Sequence, residues 1–285
     1  MQAGEPSRTA WGAAAHRAAH QILERGFIFH DPLAVRILGD DADAAIERAR
    51  SDVSTRRLRI FIAARSRYAE DALRAALAGG VRQLVVLGAG LDTFAYRSDP
   101  RLNLRIYEVD HPATQEWKRS RLSAAGIAVP GSLVFAPVDF EHGTLAQGLA
   151  ACGFDPSRQT FFTWLGVVPY LTQEAVLATL DFIARLSGAA HVVFDYANPP
   201  LDLSAAARST HDELAARASS VGESFRSYWE TQSLHARLRE LGFRYIEDLS
   251  PAGIVARFLP GRAGVVSDRG GHILRAATCA GVRGD

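Results

Sequence analysis

The residues best suited to hold a ligand lie in a glycine turn that follows an apolar, β-branched run, VVLGAGLDTFAYR at residues 85–97. Gly88 and Gly90 carry no Cβ, so a ligand can approach the backbone there, and both can adopt positive φ. A dinucleotide site would have a third glycine, as in G-x-G-x-x-G, but Thr93 holds that place and Asp92 precedes it. The turn therefore predicts a phosphate-like or nucleoside-like ligand without the full dinucleotide fingerprint.

Two acids end the next apolar run, LRIYEVD at residues 104–110. An acid about 20 residues after the first glycine commonly binds the ribose hydroxyls of a nucleotide. Asp110 lies 22 residues after Gly88, and Glu108 lies 20 residues after it. The alternative is a helix-capping turn beside an unrelated acidic strand end. Turn, acid and strand order together favour a nucleoside site.

Alternating strands and helices must position these groups. Five strands are predicted, at residues 83–90 including the turn, 104–110, 132–140, 160–168 and 189–197. Helical patterns at residues 112–126 and 172–188 separate some of them, which predicts a Rossmann-like, doubly wound parallel α/β sheet. Residues 243–249 and 271–278 are predicted to pair as a final hairpin at the sheet edge.

Two helical stretches stand outside this alternation, which divides the chain into an N-terminal helical segment, 1–80, and an α/β domain, 81–285. Within that domain, residues 199–232 form a polar, alanine-rich insertion after the fifth strand. Open α/β sheets bind ligands at the carboxyl ends of their strands. Both helical pieces are therefore predicted to form a cap over the ligand.

Composition excludes several classes of protein. The 285 residues carry a net charge of +1, which gives no reason to expect nucleic acid or an acidic membrane as a partner. Cys152 and Cys279 are too few for a disulfide framework or a cysteine-based zinc site. No signal-peptide pattern and no membrane-length apolar run are present, which predicts a cytoplasmic protein. The oligomeric state stays open.

Motifs along nearly the whole chain resemble the leucine carboxyl methyltransferase family, in its bacterial branch of S-adenosylmethionine-dependent O-methyltransferases. They are, in order, TAWGAAAHRAA, HDPLAVRIL, AARSRYAEDAL, VVLGAGLDTFAYR, YEVDHP, VDF, FFTWLGVVPYLT, GESF and LRELGF. The resemblance implies a class I methyltransferase sheet with a helical cap, S-adenosylmethionine as cofactor and a small-molecule methyl acceptor. Bacterial members include natural-product tailoring enzymes, so the acceptor itself is not identified.

Several cofactor contacts follow from the resemblance. Arg65, in AARSRY, would bind the carboxylate of the methionine moiety, since a guanidinium can hold a carboxylate with two parallel hydrogen bonds. Gly88 and Gly90 would pack under the methionine and ribose. Asp110 would accept from the ribose hydroxyls, with Glu108 as the alternative.

The other implied contacts surround the adenine and the cofactor's carboxylate. Asp139 would accept from the adenine amino group and Phe140 would contact the ring, although an acid there can instead cap a helix. Arg17 is a candidate second contact to the carboxylate. Leu165 stands where the family often has a glutamate, so a side-chain contact is lost and only the backbone of Leu165 and Gly166 can line the site.

Acceptor contacts are predicted near strand ends and in the insertion. Trp164, Tyr170 and Tyr196 could present aromatic faces to the sulfonium, although ordinary core packing is the alternative. Glu223 and Tyr228 are candidates for contacting the acceptor. A hydroxyl acceptor would gain from a general base, most often histidine. The candidate histidines, each also consistent with a structural role, are His16, His20, His111, His191 and His211.

The sequence thus predicts a methyltransferase that acts on a carboxylate or hydroxyl, with two rival functions left open. A nicotinamide-dependent dehydrogenase lacks support because the third glycine is missing and Lys118, the chain's only lysine, forms no Tyr-x-x-x-Lys pair. A non-catalytic, methyltransferase-like binding protein is the other alternative, because Leu165 replaces the glutamate and no base is evident.

Overall fold

The computed structural model describes residues 7–140, 142–202, 205–220, 224–261 and 266–279. The chain divides into two compact units, one of Met1–Arg67 with Leu84–Phe154 and one of Tyr68–Gln83 with Asp155–Asp285. Its seven described strands form one mixed α/β sheet. The predicted Rossmann-like α/β fold is confirmed.

The first unit contains the glycine turn and most of the N-terminal helices. Its elements are α1 (Arg8–Leu23), α2 (Ala42–Ser51), the start of α3 (Arg56–Ala78), β1 (Gln83–Leu87), α4 (Phe94–Arg97), β2 (Arg105–Asp110), α5 (Pro112–Ala124), β3 (Leu133–Pro137) and α6 (Leu145–Ala151). The strand order is β3-β2-β1, and β2 pairs with β3 in parallel. The carboxyl ends of β2 and β3 therefore lie at the same edge.

The second unit contains the remaining strands. Its further elements are β4 (Thr160–Trp164), α7 (Gln173–Ala184), β5 (Ala190–Ala197), α8 (Ala205–Ser220), α9 (Thr231–Leu241), β6 (Tyr245–Leu249), α10 (Pro251–Phe258) and β7 (Gly271–Ala277). The order is β4-β5-β7-β6, with β4 parallel to β5 and β7 antiparallel to both of its neighbours. The predicted pairing of the last two strands is confirmed, but α10 separates them, so they do not form a tight hairpin.

Two strands end earlier than their apolar patterns predict. The third ends at Pro137 and the fourth at Trp164. After β4, Gly166 adopts φ +72°, which breaks the extended backbone, and a 3₁₀ turn follows at Val168–Tyr170. Several predicted contact residues therefore lie in loops beyond the strands.

Small side chains on α1 allow the N-terminal helices to pack closely around the glycine turn. Ala14 and Ala18 are fully buried in a cluster that includes Ile37, Leu38 and Leu91. Leu91 directly follows Gly90, so this core supports the turn from beneath. Burying one leucine or isoleucine side chain stabilises the folded protein by about 1.5–3 kcal/mol.

Within the described ranges, no helix is both long and apolar enough to cross a bilayer. The same residues hold no group of three or more His, Cys, Asp or Glu side chains arranged to bind a metal ion.

Candidate functional site

The two glycines of the turn have different structural roles. Both adopt positive φ, +65° at Gly88 and +44° at Gly90. A Cβ added at Gly90 would lie 2.8 Å from the Cβ of Ala10, so this glycine makes room for α1. Gly88 is exposed, with its N–H donating to the Val109 carbonyl at 2.9 Å. Gly88 is therefore the position of the turn that a ligand can approach.

Asp110 is bound to the glycine turn through its carboxylate. Oδ2 accepts the Gly90 N–H at 2.6 Å, and Oδ1 accepts the His111 N–H at 2.7 Å. Burial raises the pKa of Asp110, while these two N–H groups oppose the rise. Each carboxylate oxygen can accept more than one hydrogen bond, so the half-buried group can still receive hydroxyl donors.

Glu108, the alternative ribose contact, points into the protein. Its side chain is 1% exposed, pairs with Lys118 Nζ at 2.7 Å and accepts the Tyr96 hydroxyl at 3.1 Å. Burial raises the pKa of Glu108 to about 7 despite the lysine. Asp110 is therefore the carboxylate that this strand end presents at the surface.

Asp139 lies beside the residue that follows Asp110. His111 is the N-cap of α5 and its Nδ1 accepts the Ala113 N–H at 3.2 Å, so a neutral ring carries its hydrogen on Nε2. That Nε2 lies 3.9 Å from Asp139 Oδ2, and His142 Nδ1 lies 2.9 Å from the same oxygen. Neighbouring Phe140 is 62% exposed. The ends of β2 and β3 thus bring together the residues predicted around ribose and adenine.

The two predicted carboxylate-binding arginines are both buried. Arg65 is 8% exposed on α3, with its guanidinium carbon 5.9 Å from the centre of the Phe61 ring. Arg17 donates from Nη2 to the Leu91 carbonyl at 2.6 Å, and its Nε lies 3.4 Å from Asp31 Oδ2. Arg17 thus fastens α1 to the glycine turn, a structural role that the sequence prediction did not include.

Asp31 is a buried acid that the sequence reasoning missed. It is 1% exposed, accepts the Thr93 hydroxyl at 2.6 Å and the Leu33 N–H at 3.0 Å, and lies 3.5 Å from Arg97 Nε. Thr93, in the place of the third glycine, is thereby fixed to the N-terminal segment. The sequence signal was the HDPLAVRIL motif, which contains Asp31 but for which no site residue was predicted.

In the second unit, a carboxylate also holds the loop after β4. The Gly166 N–H donates to Asp195 Oδ1 at 2.6 Å, and Asp195 is 4% exposed on β5. Leu165 is half-buried next to this contact. The backbone of the loop is therefore fixed from the neighbouring strand, whatever side chain stands at position 165.

Two of the aromatic residues predicted to contact the acceptor are buried. Trp164 is 2% exposed, with its ring centre 6.2 Å from that of Phe194. Tyr196 is 1% exposed, donates its hydroxyl to Asp248 at 2.7 Å and stacks on His272 at 4.8 Å. Both rings belong to the core of the second unit, the alternative that the sequence left open.

Four half-buried rings form an aromatic cluster in the second unit: Tyr170, His211, Phe225 and Tyr228. The Tyr170 ring lies 5.4 Å from that of Phe225, and His211 lies 5.9 Å from Phe225 and 5.4 Å from Tyr228. Glu223, the other predicted contact from the insertion, lies outside the described residues.

The other candidate histidines differ in their surroundings. Burial lowers the pKa of His20, and burial together with the Arg275 charge lowers the pKa of His191 to about 4. Both are at most 5% exposed, so they are structural groups. His16 is half-buried on α1, and His111 caps α5 as described above.

Comparison with known proteins decides the family. The model of the leucine carboxyl methyltransferase family matches residues 10–184. The chain belongs to this family. By that membership it is classed as an S-adenosylmethionine-dependent methyltransferase, which confirms the family and cofactor that the motifs implied.

Curated relatives carry the same assignment. YktD of Bacillus subtilis, provisionally named as an S-adenosyl-L-methionine-dependent methyltransferase, is 35% identical over 70% of this chain and 66% of its own length. A relative from Frankia alni with the same provisional name is 34% identical over 65% of this chain and 67% of its own. The chain thus spans about two thirds of the length of these relatives.

Solved structures show weaker likeness. An O-methyltransferase family protein from Burkholderia thailandensis is 13% identical, with a TM-score of 0.47 over 95% of this chain and 73% of the other. At that score the likeness has no bearing on substrate or mechanism.

The residues present fit the cofactor. Gly88 offers an exposed backbone position, and Asp110 is a carboxylate whose oxygens are oriented by two N–H groups. Because burial raises the pKa of Asp110, added hydroxyl donors would compensate the partly desolvated charge.

Proposed function

We propose that this methyltransferase transfers the methyl group of S-adenosylmethionine to an oxygen atom of a small molecule, either a carboxylate or a hydroxyl, with natural-product biosynthesis of the polyketide type as its setting. The observation that carries the proposal is the Gly90–Asp110 contact, which joins the glycine turn to an acid at the end of the second strand. The cytoplasmic location predicted from the sequence remains a prediction.

Each proposed cofactor contact has a physical reason. Asp110 accepts from the ribose hydroxyls, and Gly88 lets the methionine and ribose lie against the backbone. Arg65 binds the cofactor's carboxylate. Asp139 accepts from the adenine amino group, while the exposed Phe140 ring packs on the base.

The protein's contribution to catalysis is alignment and exclusion of water. When bound, S-adenosylmethionine supplies an electrophilic methyl group on a sulfonium. Transfer of that group to an acceptor oxygen would form a C–O bond and break the C–S bond, so this chain's residues would contribute mainly by orienting the acceptor and excluding water. A carboxylate acceptor needs no base, whereas a hydroxyl acceptor gains from one.

We also propose that residues 1–80 and 199–232 cover the acceptor as a cap. The second segment contains α8, which the sequence predicts to be polar and alanine-rich, with few large apolar anchors. Local opening of such a segment should cost little free energy. Its amide hydrogens should exchange quickly in the free protein and slowly once the demethylated cofactor and an acceptor are bound. Protection equal to that of β1 in the free protein would contradict the cap.

Calorimetric titration tests the cofactor directly. S-adenosylmethionine and S-adenosylhomocysteine should bind, whereas NAD and NADP should not. Transfer of tritium from methyl-labelled cofactor to carboxylic acids and phenols then tests catalysis. Binding of NAD in place of S-adenosylmethionine would favour the dehydrogenase alternative, and binding without transfer to any acceptor would favour the non-catalytic one.

A further inference from the structure

One face of the antiparallel edge of the second unit carries polar side chains that the proposed function does not use. Arg275 on β7 lies opposite Val193 on β5 and opposite Glu247 on β6. Side chains directly opposite each other in a sheet share a face, and so do residues two apart along a strand. His191 on β5 and Tyr245 on β6 therefore lie on the same face as Arg275.

Arg275 is a buried cation on this face. It is 7% exposed, and within the described ranges its Nε forms no hydrogen bond and no acid pairs with its guanidinium. The guanidinium carbon lies 5.3 Å from the centre of the Tyr245 ring, a contact that stabilises the charge but accepts no hydrogen bond in the plane of the guanidinium. Arginine is rarely buried to this extent unless it is paired, because a desolvated charge is costly. Arg275 therefore points to an anionic ligand.

The acid on this face already has its own partners. Glu247 Oε1 accepts from Arg257 Nη1 at 3.0 Å, and Oε2 accepts the Tyr245 hydroxyl at 3.0 Å. Arg257 lies on α10, with its guanidinium carbon 4.9 Å from the centre of the Tyr68 ring on α3. Because the Arg257–Glu247 pair is neutral as a whole, it leaves the charge of Arg275 uncompensated among the described side chains of this face.

Two neutral groups beside Arg275 keep hydrogens that they can donate. His191 is 5% exposed, and its Nδ1 has no hydrogen-bond partner in the part of the chain that the structure describes. Burial and the charge of Arg275 lower the pKa of His191 to about 4, so the ring is neutral at pH 7. The Cys279 thiol lies 3.9 Å from Nε2 and can donate to it, which places the ring hydrogen on Nδ1. Burial and the charge of Glu247 raise the pKa of Tyr68, so its hydroxyl keeps its hydrogen.

We propose that Arg275, His191 and Tyr68 bind a small monovalent anion of the chloride class on this face of the second unit. The guanidinium supplies the positive charge, and the His191 Nδ1–H and the Tyr68 hydroxyl supply neutral donors. The three side chains are at most 7% exposed, so the site favours a small, singly charged ion over a divalent oxyanion or an organic acid, which would cost more to desolvate. The anion stabilises the folded state, because its three donors come together only there.

The first test compares sodium chloride with sodium gluconate at constant ionic strength, using the full chain, because gluconate is too large for a closed site. The melting temperature should rise saturably with chloride, by about 3–6 °C at a tenfold excess over the Kd. Arg275→Met removes the charge and should abolish the difference between the two salts. Arg244→Met is the matched control and should retain it, since Arg244 is an exposed arginine directly before β6 and its loss changes the net charge equally.

The pKa of His191 is a second readout, which a purely structural role of Arg275 would not move. Because the positive charge of Arg275 helps to lower this pKa, a bound anion should raise it from about 4 toward its ordinary 6.5 when chloride replaces gluconate. Proton NMR titration of the imidazole ring measures the change, and His191→Gln assigns the signal.

NMR of the chloride nucleus keeps the inference testable if Arg275→Met fails to fold. The chloride line should broaden when wild-type protein is added and sharpen again when nitrate, another small monovalent anion, displaces it. Equal melting temperatures in the two salts, a chloride effect that Arg275→Met retains, or a chloride line that the protein leaves unchanged would overturn the inference. None of these measurements depends on the cofactor or on methyl transfer, so they leave the proposed function to its own tests.

Discussion

Replacing Asp110 by alanine separates its two roles, which are holding the glycine turn and binding ribose. The change removes the acceptor of the Gly90 N–H at 2.6 Å and of the His111 N–H at 2.7 Å. A hydrogen bond to a charged group contributes about 1.5 kcal/mol or more. Losing both hydrogen bonds would lower the free energy of unfolding by about 3 kcal/mol. The variant no longer has to bury a carboxylate, so the expected net loss is about 2 kcal/mol.

The ribose role adds a separate loss in binding. Hydrogen bonds from two hydroxyls to a carboxylate contribute roughly 1–3 kcal/mol, which is about 5- to 150-fold in Kd. S-adenosylhomocysteine should therefore bind Asp110→Ala that much more weakly. An analogue of it that lacks both ribose hydroxyls has no such bonds to lose, so its Kd should change far less.

Calorimetry with S-adenosylhomocysteine and its analogue measures the loss of affinity, and urea unfolding of the wild type and Asp110→Ala measures the loss of stability. Asp99→Ala is the control, because Asp99 caps a 3₁₀ turn in the same unit and its side chain is 40% exposed. The lower stability of Asp110→Ala should appear as a melting temperature reduced by roughly 2–4 °C per kcal/mol. Equal losses of affinity for the two ligands would refute the ribose role and leave Asp110 only a support for the turn.

Four further predictions concern the first unit. Gly90→Ala should destabilise the protein more than Gly126→Ala in urea unfolding, because both have positive φ but only the first Cβ meets α1, at 2.8 Å. Glu108 has a folded pKa of about 7, above its ordinary 4.5, so the free energy of unfolding falls as pH rises between these values, and Glu108→Gln should remove that part of the slope. Lys118→Met should cost about 1–3 kcal/mol in urea unfolding, because the buried Glu108 carboxyl loses its partner and takes up a proton, and adding Glu108→Gln should change the stability little further. Arg65→Ala should weaken S-adenosylmethionine markedly and 5′-methylthioadenosine little, and equal losses in calorimetry would mean that Arg65 acts only through the fold.

Sequence periodicity was sufficient for the strands because most of the apolar runs are buried in the sheet. All five predicted core strands and the final antiparallel pair are present within a few residues of their predicted bounds. Strand ends were less predictable, because they depend on local backbone conformation. The run at 160–168 is apolar throughout, yet the positive φ of Gly166 ends the strand at Trp164.

Side-chain direction was the main feature that sequence could not supply. Glu108 and Asp110 have similar spacing from the glycine turn, but one is 1% exposed and the other is half-buried at the strand end. Alternation along a strand sends neighbouring side chains to opposite faces, yet residues two apart share a face, so spacing could not separate these acids. Their partners distinguish the two acids: Glu108 pairs with Lys118, whereas Asp110 accepts the Gly90 N–H.

The same hydrogen-bonded glycine turn is found in both units. A positive-φ glycine after a strand donates its N–H at 2.6 Å to an aspartate on the neighbouring strand, from Gly90 to Asp110 and from Gly166 to Asp195. In both loops the conformation is fixed by a glycine and a carboxylate rather than by the side chains between them. This explains how the loop after β4 keeps its shape with leucine at position 165. Replacing the family's glutamate there removes a possible side-chain contact but leaves the backbone that could line a ligand, so the substitution alone is weak support for a protein that has lost its catalytic function.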